Sequence, residues 1–139
     1  MSGKTAAFSG RAYVVSGSTQ GIGAEIAVSL ARGGAEGVII CGRNEDGGKR
    51  VKAAVEAAGA GCGYVRADLA EVDDCRGVIA ACEGRFGRLD GLVNAAGMTD
   101  RGTIEDTSVE LWDRMFAVNA RAPFLLMQDA IALMRKGGN

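Results

Sequence analysis

Three glycines fall within the eight residues Ser16-Gly17-Ser18-Thr19-Gln20-Gly21-Ile22-Gly23. An apolar run, Ala12-Tyr13-Val14-Val15, precedes them, and Ile22, Ile26 and Leu30 follow at four-residue spacing with Glu25, Ser29 and Arg32 between. That order predicts a strand, a tight turn and a helix carrying one apolar face. Gly17 suits the turn off the strand, Gly21 allows a backbone to approach a pyrophosphate, and Gly23 allows the helix to pack against a sheet. The start of such a helix presents free N–H groups and partial positive charge to phosphates. No Lys follows the glycines, so a phosphate loop ending in Gly-Lys-Ser/Thr is excluded. The segment reads as a nucleotide site, with a purely structural glycine turn as the alternative.

The same alternation continues along the chain. Val38-Ile39-Ile40-Cys41 is a second apolar run, and Val51, Val55 and Ala58 mark a second helix ending near Gly59. Tyr64-Val65 opens a third run that closes at Asp68, and Cys75, Val78, Ile79, Cys82 and Phe86 form a third helical stripe. Leu89 to Ala95 is a fourth strand, ended by Gly97. The last third is one long helical pattern through Leu111, Met115, Val118, Ala122 and Leu125. Thr107 and Glu110 form a capping box before it, and Lys136-Gly137-Gly138 form its stop. Pro123 lies inside this pattern and predicts a kink, because its ring clashes with the carbonyl four residues back. Four β–α pairs in alternation predict an α/β fold: a Rossmann-type doubly wound parallel sheet in one domain spanning 1–139, truncated before a fifth strand.

Composition removes several function classes. Lys plus Arg is 16 against 17 Asp plus Glu, so no charge excess points to nucleic acid or to a membrane surface. No apolar run reaches the ~18 residues of a membrane span, and residues 1–10 lack a secretory apolar segment, so the expected location is cytoplasmic. The chain has no His, which excludes Ser–His and Cys–His nucleophile schemes. Cys41, Cys62, Cys75 and Cys82 show no C-x-x-C spacing and are expected as buried thiols, with no metal site.

The spacing Gly-x-x-x-Gly-x-Gly, followed by Asp68-Leu69, Asn94-Ala95-Ala96-Gly97 and Val118-Asn119-Ala120, resembles the short-chain dehydrogenases/reductases over residues 10–139. The resemblance implies that Gly17, Ser18, Thr19, Gln20, Gly21, Ile22 and Gly23 hold the cofactor's pyrophosphate. It implies that Asp68 and Leu69 meet the adenine, and that Asn94, Ala95, Ala96 and Gly97 steady the sheet and line the cofactor site. Asn119 matches the helix Asn of the family's Asn–Ser–Tyr–Lys catalytic tetrad. From their position after the fourth strand, Asp100 to Thr103 are expected to form one wall of the substrate site. The resemblance implies that the long helix packs against its counterpart in a homo-oligomer, a dimer or tetramer when the protein is full length, with internal core packing as the equal alternative for its apolar stripe.

Cofactor choice turns on the end of the second strand. A carboxylate about 20 residues beyond the glycines bonds a ribose 2′-OH and repels a 2′-phosphate. Gly42 holds that place, followed by Arg43 and Asn44. A guanidinium pairs bidentately with phosphate and offers a hydroxyl no acceptor. NADP(H) is therefore preferred, with NAD(H) not excluded. The family's Tyr with Lys four residues on is absent: Gly17 stands four after Tyr13, and Asp68 four after Tyr64. The chain reads as the cofactor-binding part of an oxidoreductase that moves hydride between NADP(H) and a small carbonyl or alcohol. Without its acid/base it is expected to be close to inert, since such groups contribute about 10²–10⁴ in rate. The alternative is a non-catalytic nucleotide-binding module or split partner.

Overall fold

Every residue of Ala12–Ser16 is buried, as are five of the six in Gly37–Gly42, the pattern of strands covered on both faces. In the computed structural model, which describes residues 6–138, these are β1 and β2. They are followed and separated by α1 (Gly21–Arg32), α2 (Glu45–Ala57), β3 (Gly61–Arg66), α3 (Val72–Phe86), β4 (Gly91–Asn94), α4 (Val109–Phe116), a π-helical turn (Ala117–Arg121) and α5 (Ala122–Lys136). The strands pair in parallel in the order β3-β2-β1-β4.

Alternate strand residues divide the core in two. Val14, Ile39 and Cys41 meet Val78, Ile79 and Cys82 of α3 and Leu126 and Leu133 of α5. Val15, Val38 and Ile40 meet Ala27, Leu30 and Ala31 of α1 and Val51 and Val55 of α2. Helices thus cover both faces, in the expected doubly wound arrangement. The strand order reverses beside β1, whose neighbours are β2 and β4. Such a switch point opens a crevice at the carboxyl ends of the strands.

Four local expectations change. The buried residues of α1 are Gly23, Ala27, Leu30 and Ala31, while Ile22 is 78% exposed. Small side chains bring this helix close to the sheet; of the expected stripe, Leu30 is buried and Ile26 packs partly buried against the core, and Ile22 alone lies off the inner face. β3 begins at Gly61, three residues before Tyr64, because it pairs with β2 from Gly37↔Gly61 through Gly42↔Arg66. Ser108 rather than Thr107 caps α4: its Oγ accepts from the Leu111 N–H at 3.1 Å, whereas the Thr107 hydroxyl donates to the Thr103 carbonyl. Pro123 lies in the first turn of α5, and the disruption it causes takes the form of the π-helical turn just before it, closed by the Ala122 N–H bonding the Ala117 carbonyl. A widened turn accommodates the proline ring without ending the helix.

All four cysteines are free and buried. Burial pushes Cys41 and Cys62 up to about 12 and Cys82 up to about 11, and raises Cys75 as well. The folded chain keeps these protons after the unfolded chain has begun to lose them near pH 9. Stability should therefore fall as pH rises from 9 toward 12. Urea midpoints measured between pH 8 and 10.5 are expected to drop above pH 9, and a thiol reagent at pH 8 should label the four cysteines only in denaturant. Labelling of the native chain would contradict this.

Among the described residues no helix is long and apolar enough to cross a membrane. Val109, Trp112, Phe116, Phe124, Met127 and Ile131 are exposed large apolar residues along α4 and α5, and the Trp112 and Phe116 rings lie 4.7 Å apart.

Candidate functional site

The loops leaving the carboxyl ends of the strands surround a cleft of about 440 Å³. Its walls are residues 19–23, 42–44, 67–69 and 95–98 with Gly17, Arg114 and Val118. Sequence segments up to 101 residues apart meet there because the parallel sheet delivers every strand end to one side.

The glycine loop is held down by its own polar groups. The Ser18 hydroxyl donates to the Val15 carbonyl at 2.6 Å and accepts from the Cys41 N–H at 3.0 Å, so this side chain is buried and turned away from the cleft. Gly17 has φ +61, and a Cβ there would lie 2.5 Å from Ala96 Cα and 2.8 Å from Ala96 N. A Cβ on Gly23 would overlap the Gly17 carbonyl oxygen and sit 2.9 Å from its carbon. Both positions exclude side chains where the loops after β1 and β4 and the start of α1 converge.

The start of α1 differs from those of the other helices that follow loops. Gln20 makes no side-chain capping bond, and no acidic residue stands in the first turn. By contrast, Asn44 caps α2 by accepting from the Gly47 N–H at 3.0 Å, Ser108 caps α4, and Asp73 and Asp74 stand in the first turn of α3. The N–H groups opening α1 thus face the cleft with neither a side-chain cap nor a carboxylate of their own, an arrangement suited to an anion.

At one end of the cleft, Tyr64 donates its hydroxyl to the Gly42 carbonyl at 2.8 Å and fixes the end of β2. A Cβ on Gly42 would come within 2.7 Å of Thr19 Cγ2 and 2.9 Å of Thr19 Oγ1, so Thr19 occupies the space a side chain at 42 would need. Arg43 follows, exposed and without a hydrogen-bond or ion-pair partner among the described residues. The nearby Glu45 pairs instead with Arg66 at 3.7 Å.

Asp68 accepts from the Ala70 N–H at 3.0 Å and is gripped by Arg114 of α4, with Nη2 3.1 Å from Oδ1 and Nη1 3.4 Å from Oδ2. Burial pushes its pKa up, but the Ala70 N–H, the Arg114 guanidinium and the Arg43 charge together outweigh that and hold it below the ordinary value. Asn94, at the exposed end of β4, pairs in register with Ser16, whose hydroxyl accepts from the Ala96 N–H at 3.3 Å. Asn119 projects from the π-helical turn and clamps Met98: Oδ1 accepts from its N–H, and Nδ2 donates to its carbonyl, both at 2.8 Å.

Of the residues expected from the sequence, all but Ser18, Asn94 and Asn119 line the cleft. Ser18 and Asn119 brace the loops behind it, and Asn94 ends β4 beside Ser16. Ala67, Met98 and Arg114 are wall residues that sequence reasoning did not name, and Val118, read from the sequence as part of a helical pattern, is a wall residue too. The loop at residues 100–103 is exposed and turns on a Gly102 N–H bond to the Asp100 carboxylate at 2.8 Å.

A sequence-family model described as short chain dehydrogenase matches residues 11–139. The chain is 37% identical over 130 residues to the 2,5-dichloro-2,5-cyclohexadiene-1,4-diol dehydrogenase LinX of Sphingobium indicum, covering 94% of this chain and 52% of LinX. Among solved structures, it is similar to an NADH-dependent reductase complexed with NAD (TM-score 0.86, 28% identity, 95% of this chain and 55% of that one). It is equally similar to a blue fluorescent protein from a metagenomic library in complex with NADPH (TM-score 0.86, 29% identity, 91% and 52%). The chain spans about half the length of the curated relatives it matches.

Proposed function

The chain belongs to the short-chain dehydrogenase/reductase family, and from that premise we propose that its cleft binds NADP(H) for hydride exchange with a small carbonyl or alcohol compound. The observation that carries the reading is the uncapped start of α1 beside Gly17 and Gly23, which leave no room for a Cβ, in the same cleft as Arg43, which has no ion-pair partner among the described residues. The cradle fits a dinucleotide: the α1 N–H groups would take the pyrophosphate, Asp68 and Leu69 the adenine, and Ala95 to Gly97 the far half. When bound, the cofactor supplies or accepts the hydride. Asn119 holds the Met98 backbone in place, and with it the end of the Asn94–Gly97 segment.

Preference for NADP(H) over NAD(H) rests on Gly42 and Arg43. Thr19 fills the volume that an acidic side chain at 42 would use, and Arg43 has its guanidinium free for a 2′-phosphate. The variant Arg43→Asp should lose NADPH affinity by roughly 100-fold, as expected for removing a charge-assisted bidentate pair and adding a repelling charge. NADH affinity should hold or rise. Titration of both cofactors against both proteins checks this, and an unchanged NADPH/NADH ratio would refute it.

No Tyr stands four residues before a Lys among these 139 residues, so they are expected to bind cofactor without turning substrate over by themselves. The same fact supports a second reading, a nucleotide-binding module that acts by association, which shares the cleft but not the reaction. Oxidoreduction of a small molecule is the better-supported role, because LinX is by name a diol dehydrogenase. The apolar face of α4 and α5 supports a homo-oligomer. Four free thiols support a cytoplasmic location.

A further inference from the structure

We infer that Arg114 is a positioning residue that sets which purine the cleft accepts, by fixing the plane of the Asp68 carboxylate so that Oδ1 is saturated and one lone-pair direction of Oδ2 stays open for the 6-amino group of adenine. This rests on the dinucleotide reading above.

A carboxylate oxygen offers two lone-pair directions. Both directions of Asp68 Oδ1 are taken, one by the Ala70 N–H at 3.0 Å and one by Arg114 Nη2 at 3.1 Å. Oδ2 has only the longer contact to Arg114 Nη1, at 3.4 Å, and keeps a direction open. The two-nitrogen fork fixes the plane of the carboxylate as well as its charge, which a lysine ammonium does not do.

The backbone beneath is equally restrained. The Asp68 N–H donates to Asp74 Oδ2 at 2.8 Å, and Arg121 donates to the Ala70 carbonyl. Arg114 and Arg121 come from the same helical arm that carries Asn119, so one arm braces both the Asp68 loop and the Met98 loop.

An ionised carboxylate only accepts hydrogen bonds. Held in this plane on the wall of the cleft, with a lone-pair direction of Oδ2 unused, it rewards a purine with an amine at position 6 and opposes one with a carbonyl oxygen there. A site built to bond one polar group discriminates against the analogue lacking it, because its own group is left unpaired.

The test is the affinity of the protein for NADPH and for its hypoxanthine counterpart, in which the 6-amino group is replaced by oxygen. Wild type should favour the adenine form roughly tenfold, the scale of one hydrogen bond to a charged group. In Arg114→Met the ratio should fall to about twofold or less, and Arg114→Lys should recover only part of it. Melting temperatures identify any variant that has lost its fold, and the ratio is read only within one folded protein. An unchanged ratio in Arg114→Met, or an equal loss for both dinucleotides, would overturn the inference and leave the cofactor reading standing. A wild-type chain that is folded and binds neither dinucleotide would overturn both.

Discussion

Replacing Gly23 by alanine is expected to weaken dinucleotide binding roughly 100-fold or more and to lower stability by about 2–3 kcal/mol, the usual cost of overpacking a tight site. The added methyl meets backbone on every side: the Gly17 carbonyl oxygen and carbon, and Ser18 Cα at 3.0 Å. Backbone has no rotamer to change, so the loop or the helix must move. Gly17 is itself pressed against Ala96, and Ser18 is bonded to β1 and β2, which leaves the start of α1 as the part that shifts. Two backbone N–H bonds to an anion, each worth about 1.5–3 kcal/mol, would be lost or bent. Affinity should then fall roughly 100-fold or more. Calorimetric titration at a temperature where both proteins are folded separates the binding effect from the stability effect. Gly23→Ala binding as wild type would mean the loop does not hold the phosphates.

The second large effect concerns the core. Ile39→Ala should cost about 3–4 kcal/mol, since large-to-small changes at filled sites cost about 2–5. Ile39 is 1% exposed on β2 and packs within the cluster formed with α3 and α5. For a chain of this length the melting temperature should drop by about 10 °C. Ile22→Ala is the control: at 78% exposure it should change stability by less than about 0.5 kcal/mol. Thermal melts of the two variants side by side check the pair, and equal losses would contradict the assignment of the inner face of α1.

That contrast shows where sequence patterns carry and where they stop. The parallel strands are legible because burial on both faces demands unbroken apolar runs such as Val38-Ile39-Ile40-Cys41. The glycine loop is legible because only residues without a Cβ fit positions 17 and 23. The inner face of α1 is legible only in part, at Leu30 and Ile26, because the rest of it is made by Gly23, Ala27 and Ala31, which carry little hydrophobic weight in any periodicity. β3 is longer than its apolar residues indicate, since Gly61-Cys62-Gly63 joins the sheet through backbone pairing to β2. Ser108 and Thr107 are adjacent hydroxyls, and only geometry separates the cap from its neighbour. No sequence signal marks Arg114, because only the fold sets it against Asp68, 46 residues away in sequence.

The central claim is that the cleft at the strand ends holds NADP(H). Calorimetric titration of the purified chain with NADPH, with folding verified by circular dichroism in the same buffer, tests it most directly. The account predicts saturable binding at one site per chain, weakened roughly 100-fold or more in Arg43→Asp and in Gly23→Ala. A folded chain that shows no saturable binding of NADPH or NADH at millimolar cofactor would contradict it.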